Sequence, residues 1–237
     1  MNAHVQAIRG RRPHLLDLFC GAGGCAKGYH DAGFDVVGVD IADQPHYPYE
    51  FHKADALTFP LDGFDVIHAS PPCQDYSSAS HYGGKKESTY PRLLEPMRKR
   101  LLATGKPWIL ENVAGAMSDM LNPVMLCGTS LGLRVQRHRY FESNYILFAA
   151  GPCRHRPFDV SVRCKRFEYL GAYQDMLTAK GQSVKRPPYC RIDRAKMAMG
   201  IDWMNGHELG ESVPPLYTKW LGGQVLALLA YIESEVA

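Results

Sequence analysis

The stretch from His14 to Asp40 constrains the fold most. An apolar run, His14-Leu15-Leu16-Asp17-Leu18-Phe19, breaks at Gly21-Ala22-Gly23-Gly24, and a second run, Phe34 to Asp40, follows one short helix-length later. Strand, glycine turn, helix over Cys25–Ala32 ending near Gly33, then strand make a crossover unit, and a crossover joins parallel strands. Two further apolar runs, Phe64–Ala69 and Pro107–Glu111, add strands, and between them Pro91 opens a helix reaching about Ala103. This alternation predicts an α/β fold on a mostly parallel sheet. At the far end, Leu221, Val225, Leu228, Leu229 and Ile232 mark one face of a helix within Pro214–Val236.

A chain of 237 residues, 46% hydrophobic and 22% charged, can bury one sizeable core and a small lobe. Its texture divides into a basic tail at 1–13, a main domain at 14–150, a lobe at 151–190, and C-terminal helices at 191–237 that return to the main domain. No apolar run nears the roughly 18–20 residues of a membrane span. Seven cysteines and no export signal read as reduced thiols in a cytoplasmic protein, expected to be a monomer. The net charge of +3 is small, but nine basic residues stand against three acids between Gly151 and Arg191. That segment is either an ordinary solvated loop or a phosphate-contacting surface. Cys153-x-His155 with Cys164 and Cys190 offers four zinc ligands, but it lacks a compact Cys-x-x-Cys pair. The sequence reading is therefore unpaired thiols and no metal.

The ends of the predicted strands carry the chemistry. Ligands of open α/β sheets bind at the carboxyl ends of the strands, where Gly21, Gly23 and Gly24 let the backbone come close. The spacing is not the dinucleotide Gly-x-Gly-x-x-Gly, and no phosphate-loop Lys-Ser/Thr follows. Asp40 is placed to accept from a ribose, and Asp55 to accept from an adenine amino group. Together these suit an adenosine-containing cofactor without saying which. Cys73 follows Pro71 and Pro72 at a strand end, on rigid, extended backbone. A lone cysteine is more often core. Here Glu111-Asn112-Val113 ends the next strand, Arg137 and Arg139 alternate along an extended segment, and Gln74 and Ser77 add polar groups. Such a set is hard to explain as packing, although a structural Glu111–Arg139 ion pair stays open.

In their order, Asp17 to Gly24, Pro72-Cys73-Gln74, Glu111-Asn112-Val113, Arg137-x-Arg139 and Val213 to Thr218 resemble the motifs of the DNA cytosine-5 methyltransferases. The resemblance covers most of the chain apart from the basic segment. It implies the Rossmann-like fold of S-adenosylmethionine-dependent methyltransferases, S-adenosylmethionine as cofactor, and cytosine flipped out of duplex DNA as substrate. Asp17, Phe19, Gly21, Gly23, Gly24, Asp40, Ile41, Asp55, Pro72, Tyr217 and Thr218 would surround the cofactor. Gln74, Ser77, Asn112, Arg163, Lys165 and Arg166 would meet the nucleic acid. Cys73 would add as a thiolate to C6, aided by the charge of Arg137. Glu111 would share a proton with N3, and Arg139 would hold O2. A tRNA-directed relative and a catalytically silent nucleic-acid-binding homologue are the alternatives.

The chain departs from the family's pattern in a short recognition segment and at Asp75, Gln136 and Glu211. Few base-reading side chains fit that segment, which implies a short target and salt-dependent affinity.

Overall fold

A computed structural model describes residues 10–76, 91–157, 159–163, 166–170 and 192–236. Its main sheet comprises β1 (His14–Leu18), β2 (Asp35–Asp40), β3 (Glu50–Lys53), β4 (Val66–Ala69), β5 (Trp108–Asn112), β6 (Val124–Cys127) and β7 (His138–Ser143). Their order is β3-β2-β1-β4-β5-β7-β6. The first five run parallel, and β7 lies antiparallel to both β5 and β6. Chain order reverses beside β1, so its boundary with β4 is the switch point where such sheets open a crevice.

Alternation along β1 sets the two faces. Leu15 joins a core with Tyr29 of α1 (Gly24–Ala32), Phe34, and Tyr217, Leu221 and Val225 of α5 (Pro215–Val236). Leu16 and Leu18 point the other way, to Ile67, Trp108, Leu110 and the Leu94, Met97 and Leu101 stripe of α2 (Leu94–Leu102). Asp17 therefore falls on the α1 face, with no route to solvent.

A third core lies at the end of the sheet. The antiparallel pair β8 (Asp159–Arg163) and β9 (Arg166–Leu170) falls within the basic segment between Gly151 and Arg191. Val160 and Val162 of β8 pack with Val135, Ala22, Ala195 and Met199 of α3 (Ile192–Met199), and Leu209 of α4 (Gly206–Glu211). Asn205 caps α4 in a reciprocal box with Glu208. Thus α5 returns to the main sheet, whereas α3 and α4 share a core with β8. The expected strands and helices match β1, β2, β4, β5, α1, α2 and α5. Strand β3 was not anticipated, because Glu50-Phe51-His52-Lys53 is a largely polar edge strand with little alternation to read. Among the described residues, no helix is long and apolar enough to cross a membrane.

Candidate active site

The carboxyl ends of β1, β2, β4 and β5 share one sheet edge. Past β2, the Asp40 carboxylate accepts the Gly21 amide at 3.0 Å on one oxygen and the Ala42 amide at 3.0 Å on the other. Each oxygen keeps a second lone pair. Ile41 beside it is 73% exposed, an apolar platform open to solvent. Phe19, between β1 and the glycine turn, holds φ at +58°, a left-handed conformation that side chains rarely adopt, and such strain clusters at ligand sites. A Cβ on Gly21 would meet nothing within 4 Å, so that turn faces open space. Gly24 is glycine for a different reason: a Cβ there would sit 2.4 Å from the Val213 carbonyl oxygen. Gly23 likewise packs closely, against Pro48. Asp55 is exposed, with its carboxylate fixed by the Leu57 amide at 2.8 Å. An acid with free lone pairs, an open glycine turn and an exposed apolar platform suit an adenosine group.

Three residues assigned to this corner are fully buried. Asp17 is fully buried, and neither carboxylate oxygen has an aligned hydrogen-bond donor. Burial first, then Asp40, raises its carboxyl well above the ordinary range, and the Ala26 amide at the head of α1 pulls weakly the other way. Tyr217 and Thr218 are also fully buried. The Tyr217 hydroxyl donates to the Arg137 carbonyl, and that of Thr218 to the Cys25 carbonyl at 2.8 Å. They brace α1 and the arginine segment against α5.

Beyond β4, Pro71-Pro72 leads to a half-buried Cys73, and a 3-10 turn follows at Gln74–Tyr76. Asn112, expected to touch substrate, is 1% exposed and clamps this loop instead. Its amide donates to the Pro71 carbonyl at 3.0 Å, and its oxygen accepts the Val113 amide at 2.9 Å. Glu111 points into the same edge, where Arg139 Nε lies 2.9 Å from Oε1. That contact is close but not aligned as a hydrogen bond, so Oε1 is buried without an aligned donor. Burial pushes the Glu111 carboxyl up, while Arg139, Arg137 and the Ser70 hydroxyl oppose it.

The thiol does not gain the net help expected from Arg137. Burial and then Glu111 raise Cys73, and together outweigh Arg139 and Arg137. The Arg137 guanidinium is 4% exposed and donates to the carbonyls of Val162 at 2.6 Å and Gly210 at 2.8 Å. It ties β8 and α4 to the site. Arg139 is the guanidinium that meets Glu111.

Behind the edge runs a polar chain that the sequence reading missed. Tyr29 Oη meets His68 Nδ1 at 3.0 Å, and His68 Nε2 meets Ser70 Oγ at 2.9 Å. The Ser70 hydroxyl in turn favours the charged form of Glu111. Burial pushes His68 down to about 3, so the ring is neutral. A histidine inside an otherwise apolar strand, Val66-Ile67-His68-Ala69, was the available signal. Ser77 and Lys165 lie outside the described residues, as do the side chains of Arg163 and Arg166.

Residues 14–124 match the family model of the C-5 cytosine-specific DNA methylases. The type II methyltransferase M.HgiGI of Herpetosiphon aurantiacus is 32% identical over 118 residues, covering 43% of this chain and 90% of that protein. M.FnuDI of Fusobacterium nucleatum is 32% identical over 114 residues, 44% of this chain. The chain spans about a third of the length of M.FnuDI and of M.HgiDI, at 33% and 37%. Among solved structures, Entamoeba histolytica methyltransferase EhMeth superposes with a TM-score of 0.60 at 15% identity, covering 92% of this chain and 99% of that one. Spodoptera frugiperda DNMT2 gives 0.59 at 14% identity, with the same coverage. At such identity these structures speak to the fold alone.

Proposed function

This chain belongs to the C-5 cytosine-specific DNA methylase family, and from that premise we propose that it methylates C5 of cytosine in DNA with Cys73 as covalent nucleophile. S-adenosylmethionine, the family's methyl donor, supplies an electrophilic methyl group when bound, and Asp40, Ile41 and the open Gly21 turn would hold its adenosine part. The observation that carries the reading is Glu111: a buried carboxylate with an oxygen lacking an aligned donor, between Arg139 and Cys73. An unsatisfied buried oxygen is costly, and a ring N–H at cytosine N3 would satisfy it.

Burial, and after it the same carboxylate, accounts for the resting thiol. Glu111 opposes formation of the Cys73 thiolate in the free protein. Once a proton drawn from solvent is shared between Glu111 and N3, that repulsion falls, and Arg139 and Arg137 favour the thiolate against burial alone. The thiol proton leaves to solvent and the thiolate forms a bond to C6. C5 then takes the methyl group, whose bonding pair would stay with the donor's sulfur, and loss of the C5 proton to solvent expels the thiolate. Asn112 fixes the Pro71 carbonyl and so the height of Cys73 above the edge. Arg163, Lys165 and Arg166 would contact phosphates from the lobe.

Labelled methyl transfer to duplex DNA and to tRNA, with wild type and Cys73→Ala, tests this reading. We expect C5 methylation of DNA by wild type only. Transfer to tRNA alone contradicts the substrate, and an unchanged product with Cys73→Ala contradicts the nucleophile.

A further inference from the structure

His138, between the two arginines, turns to the opposite side of its strand, and it does not stand alone there. In the antiparallel pairing of β6 with β7, His138 is the register partner of Cys127. The loop beyond β7 folds back and brings Cys153 and His155 to the same point. His138 Nε2 lies 3.3 Å from His155 Nε2 and 3.4 Å from Cys153 Sγ, and His155 Nε2 lies 3.4 Å from Cys127 Sγ. One ligand atom from each of the four residues lies within 4.8 Å of all the others.

The three separations of 3.3–3.4 Å fit the edges of a tetrahedron around a small cation. Zinc–sulfur bonds of ~2.3 Å and zinc–nitrogen bonds of ~2.0 Å set ligand–ligand edges of roughly 3.3–3.8 Å. Hydrogen bonding alone explains the cluster poorly. Two imidazole nitrogens face each other, and each also faces a thiol, so the lone pairs converge with too few protons to separate them. Around the Cys127 sulfur stands a supporting hydroxyl. Thr129 Oγ1 is 3.3 Å from Sγ and accepts the Arg154 amide at 3.1 Å, which directs its proton toward the sulfur. Such outer-shell donors orient and stabilise thiolate ligands.

We propose that Cys127, His138, Cys153 and His155 bind one zinc ion in a closed, structural Cys2His2 site. A tetrahedral set of two sulfurs and two nitrogens selects zinc over harder cations. Binding displaces two thiol protons to solvent, and the two thiolates neutralise the divalent charge. With four protein ligands no position remains for water, so the ion takes no part in chemistry. It clips the 153–155 loop to the β6–β7 pair. That fixes the strand carrying Arg139 and the point from which β8 departs. The sequence reading had grouped Cys153 and His155 with Cys164 and Cys190, which lie outside the described residues. The fold supplies Cys127 and His138 instead. Metal binding stands or falls independently of the methyl-transfer reading.

The test is metal analysis of the untagged full chain, purified under reductant without chelators, alongside Cys127→Ser and His155→Ala. We expect one equivalent of zinc in wild type and trace amounts in both variants. His155 is exposed, so His155→Ala should keep the far-ultraviolet circular dichroism of wild type while losing the ion. Cobalt exchanged into wild type should give the intense visible bands of tetrahedral cobalt with a thiolate charge-transfer band. Wild type that takes up no zinc after refolding with the metal and reductant would overturn the proposal. So would full retention of zinc in both variants, six-coordinate cobalt spectra, or a Cys127–Cys153 disulfide in the freshly isolated protein.

Discussion

Asp17→Asn should make the protein more stable at neutral pH and leave it unchanged in acid. Asp17 is fully buried, and neither carboxylate oxygen has an aligned donor, so ionising it in the folded state is strongly opposed. The folded carboxyl titrates above its unfolded value of ~3.9, so the folded state holds the proton more tightly. Its relative stabilisation is full below pH ~3.9 and is lost as pH rises toward the folded value, at ~1.4 kcal/mol per pH unit. A proton retained up to pH 7 would cost ~4 kcal/mol in all. Asparagine is nearly isosteric and never ionises, so it removes this slope while leaving an equally unsatisfied polar group. We expect a gain of ~2–4 kcal/mol at pH 7, a melting temperature ~5–15 °C higher for a chain of this size, and no difference at pH 4. Thermal and urea unfolding of both proteins from pH 4 to pH 8, followed by circular dichroism, reads this directly. No gain at pH 7 would show that Asp17 is ionised and satisfied in the folded protein, and an equal gain at every pH would show that its effect is unrelated to ionisation; either refutes the reasoning.

The opposite slope is expected from His68, which burial holds neutral down to about pH 3. A depressed folded value means stability is lost as pH falls from ~6.5 toward 3, at ~1.4 kcal/mol per unit, and His68→Gln should flatten acid unfolding there. Asn112→Ala removes the hydrogen bond to Pro71 and should cost ~1–3 kcal/mol in urea unfolding. It should also lower kcat at least about tenfold with little change in KM for DNA, through a displaced Cys73. Arg98→Met breaks a buried pair in which Glu142 accepts from Arg98 Nε, and at 2.8 Å from its Nη2. Leaving Glu142 uncompensated should cost ~3–5 kcal/mol in the same unfolding assay.

The crossover core was legible because Leu15, Leu16 and Leu18 alternate between two buried faces and the glycine turn interrupts them. The motif residues were legible because strand ends converge on one edge whatever the loops do. What the side chains bind within that edge was not. Tyr217, Thr218 and Asn112 look like ligand-binding polar groups in the sequence, yet each bonds to a backbone carbonyl that only the fold brings near. Arg137 and Arg139 read as a matched pair, but the approach of Val162 and Gly210 engages one of them. The Cys127–His138 pairing depended on strand register between two short strands, which periodicity cannot fix over four to six residues. Polarity at His68 in an apolar strand was visible, though its link through Ser70 to Glu111 was not.

The central claim is that Cys73 bonds covalently to cytosine C6. A duplex carrying 5-fluorocytosine, incubated with wild-type protein and S-adenosylmethionine, tests it most directly, because fluorine cannot leave C5 as a proton does. A denaturation-resistant complex should form, and peptide mass spectrometry should place the nucleotide on Cys73. The account is contradicted if ordinary duplex DNA is methylated while the fluorinated duplex is never trapped, or if the adduct maps to another cysteine.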